Sequence, residues 1–174
     1  MWVFGYGSLL WNPGFTPCER IVARLPEHAR SFCMRSIHHR GTEAAPGLVL
    51  ALDPTPGAEC RGLALRANED DADAVLDALR ARELISSAYH EKRLEVQLQD
   101  GREVAAVTYV VDPAHRQYCG GLPLQEQARI IARAHGGRGA NSEYLFNTAA
   151  HLAELGLSDP DLNWLVARVR ALGG

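Results

Sequence analysis

Apolar residues follow two regimes along this chain, and that division constrains the fold more than any other feature. Through Val111 they come in short β-type runs broken by Pro and Gly; beyond Leu122 they recur at helical spacing. The runs read as strands over Trp2–Gly5, Arg20–Leu25, Arg30–Ile37, Leu48–Asp53 and Cys60–Arg66, separated by Pro and Gly turns. Leu48-Val49-Leu50-Ala51-Leu52 is continuously apolar, the pattern of a strand buried on both faces. One helix interrupts the strands, with Asn68 as N-cap, acids in its first turn, and Ala72, Val75, Leu76 and Leu79 on one face. A hairpin follows: Leu94, Val96 and Leu98 alternate with polar residues, Asp100-Gly101 predicts a type I′ turn, and Val104–Val111 returns. The last third predicts three helices, from near Pro123 to Gly136, from an Asn141 cap to Gly156, and from Pro160 to Leu172.

Strands first and helices gathered at the end imply an α+β fold. Roughly six to eight strands in so short a chain suit a small, strongly curved sheet or barrel flanked by helices. No repeat or low-complexity linker divides the 174 residues, which read as one domain over 1–174. The net charge is −3 and the Lys and Arg residues are scattered among acids, which argues against nucleic acid or a membrane surface as partner. No apolar run approaches membrane-spanning length, and residues 1–10 lack the basic start and long apolar segment of a signal peptide, so the chain reads as cytoplasmic. The oligomeric state is not fixed by composition, and a monomer satisfies it. Cys18, Cys33, Cys60 and Cys119 form no CxxC pair and read as free thiols packed as small hydrophobes. His38 and His39 are adjacent, so on a strand they would point to opposite faces; with no HExxH motif or Cys/His cluster, no metal site is predicted.

Three constellations carry possible chemistry. The first is Val3-Phe4-Gly5-Tyr6-Gly7-Ser8-Leu9, an apolar β run that breaks into glycines bracketing a tyrosine. Such a loop lets backbone approach a ligand, and its N–H groups can form a nest for a carboxylate or oxyanion; a plain β-bulge or tight turn satisfies the same residues. A dinucleotide fingerprint, a P-loop and a nucleophile elbow all fail, because Leu10 stands where further glycine is required and no Gly-Lys-Ser/Thr run occurs. Asn12-Pro13-Gly14-Phe15 then reads as a type II turn. The second is Glu83, at the helix end beside Leu84, Ile85, Ser86 and Ser87. In an apolar site its carboxyl would titrate high enough to serve as a base near neutrality; on a surface it would simply pair with Arg80 or Arg82. The third is the stripe Tyr144, Asn147 and His151 beside Leu145, Thr148, Leu152 and Leu155, which reads equally as a pocket edge or a hydrogen-bonded helix flank. Tyr118-Cys119-Gly120-Gly121 adds an aromatic beside flexible backbone.

Taken in order, these residues resemble the ChaC-type γ-glutamylcyclotransferases. The resemblance runs nearly end to end, through Val3-Phe4-Gly5-Tyr6-Gly7-Ser8-Leu9 with Trp11-Asn12-Pro13-Gly14, Ser36-Ile37-His38-His39-Arg40-Gly41-Thr42, and Pro46-Gly47-Leu48-Val49-Leu50. It continues through Arg82-Glu83, Gln117-Tyr118-Cys119-Gly120, Gln127-Ala128-Arg129 and Asn141-Ser142-Glu143-Tyr144-Leu145-Phe146-Asn147-Thr148. The resemblance implies a small barrel-like mixed sheet flanked by helices, and conversion of glutathione, or another γ-glutamyl compound, into 5-oxoproline and the released amine. It implies Glu83 as catalytic acid/base, Val3 to Leu9 as the segment holding the γ-glutamyl group, and Arg40, Tyr118 and Tyr144 as pocket-lining positions. No cofactor is implied, because the attacking group is the substrate's own α-amine. A non-catalytic glutathione-binding regulator linked to cation transport is the alternative of another class. The family pattern carries tryptophan where Arg80 stands, methionine at Leu84 and glycine at Ser87. Arg80 reads as a packing change; Ser87 alters backbone freedom beside the acid and bears on rate and substrate preference.

Overall fold

Strands whose side chains are apolar on both faces need two partners, and here one is a barrel interior and the other a helix. The computed structural model describes residues 1–84 and 87–173. They form two compact units, Met1–Arg30 with Leu52–His115, and Ser31–Ala51 with Arg116–Gly174. The first unit is a closed barrel, in the order β1-β3-β2-β4-β5, of β1 (Trp2–Gly5), β2 (Glu19–Ser36), β3 (Gly47–Arg66), β4 (Tyr89–Leu98) and β5 (Glu103–Val111). β2 and β3 also run on into the residues of the second unit. β1 is antiparallel to β3, with Val3 opposite Leu65, and parallel to β5, with Val3 opposite Val107. β4 and β5 are antiparallel from Tyr89 opposite Val111 to Gln97 opposite Glu103.

Successive side chains of a strand point to opposite faces. Ala106 and Val110 of β5 therefore join Phe4, Leu25, Leu52, Val96 and Leu98 in one apolar cluster. Val107 and Tyr109 join Val3 and the Val75, Leu76 and Leu79 stripe of α1 (Ala72–Glu83) in another. The apolar stripe predicted for this helix is the one it buries.

Several local expectations are corrected. The predicted pairs Arg20–Leu25 with Arg30–Ile37, and Leu48–Asp53 with Cys60–Arg66, are two continuous strands of 18 and 20 residues. Glu27 (φ 59°) and Gly57 (φ 76°) bend them, and the Glu27 carboxylate accepts from the Gly57 N–H at 3.0 Å. Pro and Gly here make bulge-like bends rather than chain reversals. The Asp100-Gly101 turn is not type I′, since Gly101 (φ 93°) alone has positive φ; its N–H bonds the Leu98 carbonyl at 3.0 Å, a type I turn followed by a left-handed glycine. Asn68 does not cap α1: Asp71 holds that position, and the Asn68 amide donates to the Asp71 side chain.

The second unit packs α2 (Leu124–Arg133), α3 (Asn141–Glu154) and α4 (Pro160–Ala171) around Ile131, Leu145, Leu152, Leu162, Leu165 and Val169. α2 ends before the predicted Gly136 because a short hairpin intervenes, β6 (His135–Gly136) with β7 (Gly139–Ala140). Asp159 caps α4, accepting from the Leu162 N–H at 3.0 Å. Asn141 is not the cap of α3, a position held by Ala140. Fully buried, it accepts from Leu48 N and donates to Leu48 O, both at 2.7 Å, acting as a backbone surrogate beside β3.

Replacing Asn141 with Leu strands two buried backbone groups and is expected to cost about 2–5 kcal/mol, read as a lower urea midpoint; an unchanged midpoint would contradict this account. Ser87 occupies left-handed space (φ 50°), which costs an L-residue about 1–2 kcal/mol. Ser87→Gly is expected to hold or raise the melting temperature, and Ser87→Val to lower it; equal effects of the two would show that the conformation is not strained.

Candidate functional site

The glycine loop leaves β1 with its backbone pinned from beneath. The Phe4 carbonyl accepts from the buried Thr108 hydroxyl at 3.1 Å, and the Tyr6 carbonyl from Arg30 Nε at 2.6 Å. Arg30 is itself 8% exposed and also donates to the Arg61 carbonyl. A trans peptide points its carbonyl and the following N–H in opposite directions, so the hold on Tyr6 O turns the Gly7 N–H away from Arg30. A Cβ at Gly7 would meet nothing within 4 Å, whereas one at Gly62 of β3 would lie 2.3 Å from the Gly5 carbonyl oxygen. Glycine at 62 is thus what lets β3 pass this close.

The side chains of the segment divide. Val3, Phe4 and Leu9 are core residues, and Tyr6 is spent internally, its hydroxyl donating to the Tyr109 carbonyl at 2.9 Å. Ser8 is the one residue of the segment that is not buried, and Gly5 and Gly7 contribute backbone alone. A 3-10 turn over Ser8–Leu10 follows, and Gly14 (φ 82°) fits the predicted type II turn.

Glu83 is the last residue of α1, where the negative end of the helix dipole disfavours a carboxylate. Its side chain is 22% exposed, and Nε of Arg82 lies 3.1 Å from its Oε1. Burial pushes the Glu83 carboxyl above the ordinary glutamate value, and the Arg82 charge opposes part of that rise. Adjacent helical residues do not face each other; this contact occurs where the helix ends. The rest of the Arg82 fork reaches back to the loop, Nη2 donating to Ser8 Oγ and Nη1 to the Asn12 carbonyl, both at 2.7 Å. One guanidinium thus joins the acid to the loop.

Of the two surface pairings open to Glu83, that with Arg80 does not form. Arg80 Nε and Nη2 instead grip the two oxygens of Glu91 on β4, both at 2.8 Å. An ion pair thus fastens the last turn of α1 to β4. Glu91 stands opposite Tyr109 in the β4–β5 ladder, and the buried Tyr109 hydroxyl makes no hydrogen bond of normal geometry. Ile85 and Ser86 lie outside the described residues; Ser87 adopts a positive φ of 50°, a conformation that favours glycine.

Arg40, Tyr118 and Tyr144 belong to the second unit. Arg40 and Tyr144 come together there: the guanidinium lies 5.6 Å from the Tyr144 ring centre, and Nη1 contacts the Ala140 carbonyl at 3.1 Å and Glu143 Oε2 at 3.3 Å. Tyr144 meets Phe32 edge to face with ring centres 6.0 Å apart. Tyr118 pairs with Met34 at the end of β2. On the α3 stripe, Asn147 is exposed and His151 contacts Glu154 at 3.3 Å. A cavity of about 260 Å³ between the end of α3 and the start of α4, lined by Leu152, Leu157 and Leu162 among others, includes none of the predicted site residues. Among the described residues no three His, Cys, Asp or Glu side chains come together as metal ligands would. Arg30 is no candidate in the sequence, where its signal is a charge beside an apolar run; Arg82 is there only a pairing partner for Glu83, and its bonds to Ser8 and Asn12 are added by the structure.

The sequence matches the family model described as ChaC-like protein over residues 1–172. It is 38% identical over 172 residues to the glutathione-specific gamma-glutamylcyclotransferase of Escherichia coli (strain K12), covering 99% of this chain and 74% of that protein. A glutathione-specific gamma-glutamylcyclotransferase of Schizosaccharomyces pombe is 33% identical over 180 residues, covering 94% of this chain and 88% of the relative. The crystal structure of a γ-glutamyl cyclotransferase specific to glutathione from yeast superimposes with a TM-score of 0.85 at 26% identity, covering 99% of this chain and 98% of that one. The mixed barrel with its helices is the architecture of these neighbours, and the chain belongs to the ChaC-like family.

Proposed function

We propose that this protein is a γ-glutamylcyclotransferase that cleaves glutathione to 5-oxoproline and Cys-Gly, with Glu83 as its acid/base. The observation that carries the reading is a partly buried carboxylate tied through Arg82 to the glycine loop. The two similar proteins named above as glutathione-specific support glutathione as the substrate. The family match extends over both compact units, which supports a single ChaC-like domain. No described helix is long and apolar enough to cross a membrane. Among the described residues Cys18, Cys33, Cys60 and Cys119 form no disulfide, which suits the reducing cytoplasm, where glutathione is abundant, and a monomer suffices for the chemistry.

In this reaction the α-amine of the γ-glutamyl group attacks its own γ-carbonyl carbon. The new C–N bond closes a five-membered ring, and the bond to the cysteinyl nitrogen breaks. The attacking nitrogen loses two protons in passing from α-ammonium to lactam N–H, and the leaving nitrogen gains two to become the ammonium of Cys-Gly; Glu83 relays them, so protons balance and no water is consumed. The loop's part is to hold the chain folded, since proximity in a well-oriented intramolecular step is worth roughly 7–11 kcal/mol. The Gly7 N–H and the Ser8 hydroxyl are the donors this loop can aim at the substrate carboxylate or the developing oxyanion.

Glu83→Gln is expected to keep the fold and glutathione binding while 5-oxoproline formation falls by about a hundredfold or more. Near-normal turnover would overturn the assignment, and binding without turnover by the unaltered protein would favour a regulator. Faster turnover of γ-glutamyl-alanine than of glutathione would relocate the substrate preference. Because the ionised carboxylate is the working base and burial raises its pKa, kcat/KM is expected to fall as pH drops through a value above the ordinary ~4.3 of glutamate. An acid limb at or below that value would contradict the burial argument.

A further inference from the structure

Arg82 does more in this structure than neutralise a neighbour. Its three guanidinium nitrogens are distributed over three acceptors: Nη1 on the Asn12 carbonyl, Nη2 on the Ser8 hydroxyl, Nε beside Glu83 Oε1. Asn12 and Ser8 lie at the two ends of the turn that leaves the glycine loop, and the Asn12 N–H also bonds the Ser8 carbonyl at 2.9 Å. The planar fork of arginine is suited to several acceptors at once, which a lysine ammonium on a flexible stem is not. We infer that Arg82 is the positioning residue of the site, a strut that sets the glycine loop and Glu83 in register while directing the Ser8 hydroxyl proton toward the bound substrate. This deepens the proposed function and rests on Glu83 being the acid/base.

The Ser8 hydroxyl has one proton and two lone pairs. Since it accepts from Arg82, its proton is free for another acceptor, and donation is strengthened by the cation behind it. The chemistry this selects is an anionic or strongly polar oxygen, as in the α-carboxylate or γ-carbonyl of a γ-glutamyl group. Among the described residues the charged and titratable groups facing Glu83 are Arg82 on its own helix and Tyr109 from β5, behind which Glu91 of β4 and Arg80 of α1 neutralise each other. Arg82 is accordingly the cation whose removal Glu83 would sense.

The test compares Arg82→Gln and Arg82→Lys with the unaltered protein by steady-state kinetics on glutathione across pH. The Glu83 side-chain carboxyl is titrated in parallel by carbon-13 NMR, with Glu83→Gln used to assign its signal. Arg82→Gln is expected to lower kcat/KM by about 10–100-fold, and to move both the acid limb and the NMR midpoint to higher pH. Arg82→Lys is expected to leave the midpoint near its original position yet lose activity, because charge is kept and the fork is not. A midpoint unmoved in Arg82→Gln, or full activity in Arg82→Lys, would overturn the inference. The NMR arm needs no turnover, so absence of 5-oxoproline from the unaltered protein would refute the proposed function separately. If Arg82→Gln fails to fold, Arg82→Lys and the Ser8→Ala variant carry the test: Ser8→Ala is expected to raise KM for glutathione more than it lowers kcat, and an unchanged KM would refute the Ser8 role.

Discussion

Placing a carboxylate at the C-terminal end of a helix, partly removed from water, is unfavourable on two counts, since burial penalises the charged form and the helix dipole repels it. Glu83 occupies such a place, and much of the surrounding unit can be understood as what keeps it there. The apolar stripe of Val75, Leu76 and Leu79 seats α1 on the outer face of β5. Arg80 locks the last turn to Glu91 through two short hydrogen bonds. Arg82 supplies the compensating charge and connects the acid to the loop. Burial raises the pKa of this carboxyl and Arg82 opposes part of the rise, a direction that suits a group asked to take and give a proton.

The loop depends on the barrel in the same way. Its carbonyls at Phe4 and Tyr6 are held by Thr108 and Arg30, and its tyrosine side chain is tied to the Tyr109 carbonyl. These bonds are buried and therefore costly to break. The segment is thus a rigid extension of β1, and its tyrosine serves the scaffold. Tyr109 links the two halves of this arrangement, its carbonyl under the loop and its ring against α1.

The α+β class, the barrel, the buried stripe of α1 and the acid at its end were legible in the sequence because each rests on periodicity or on a local residue type. What was illegible depends on partners remote in sequence. Pro26-Glu27 and Pro56-Gly57 have turn composition, yet the Glu27 side chain receives Gly57 from the facing strand and the chain runs on. Asn141 has cap composition, but Leu48 offers it an N–H and a carbonyl at once. The Arg82–Glu83 contact contradicts helical geometry except at a helix end, whose exact position the sequence does not reveal. Resemblance to a family supplied the reaction; neither spacing nor composition could have named the ligand of the loop.

In the proposed reaction the substrate's own amine, and not water, attacks the γ-carbonyl. Incubation with glutathione in oxygen-18 water, followed by mass spectrometry of the products, tests this directly. Unlabelled 5-oxoproline formed in equal amount with Cys-Gly is the predicted result. Labelled glutamate, or Cys-Gly without 5-oxoproline, would show hydrolysis and contradict the account.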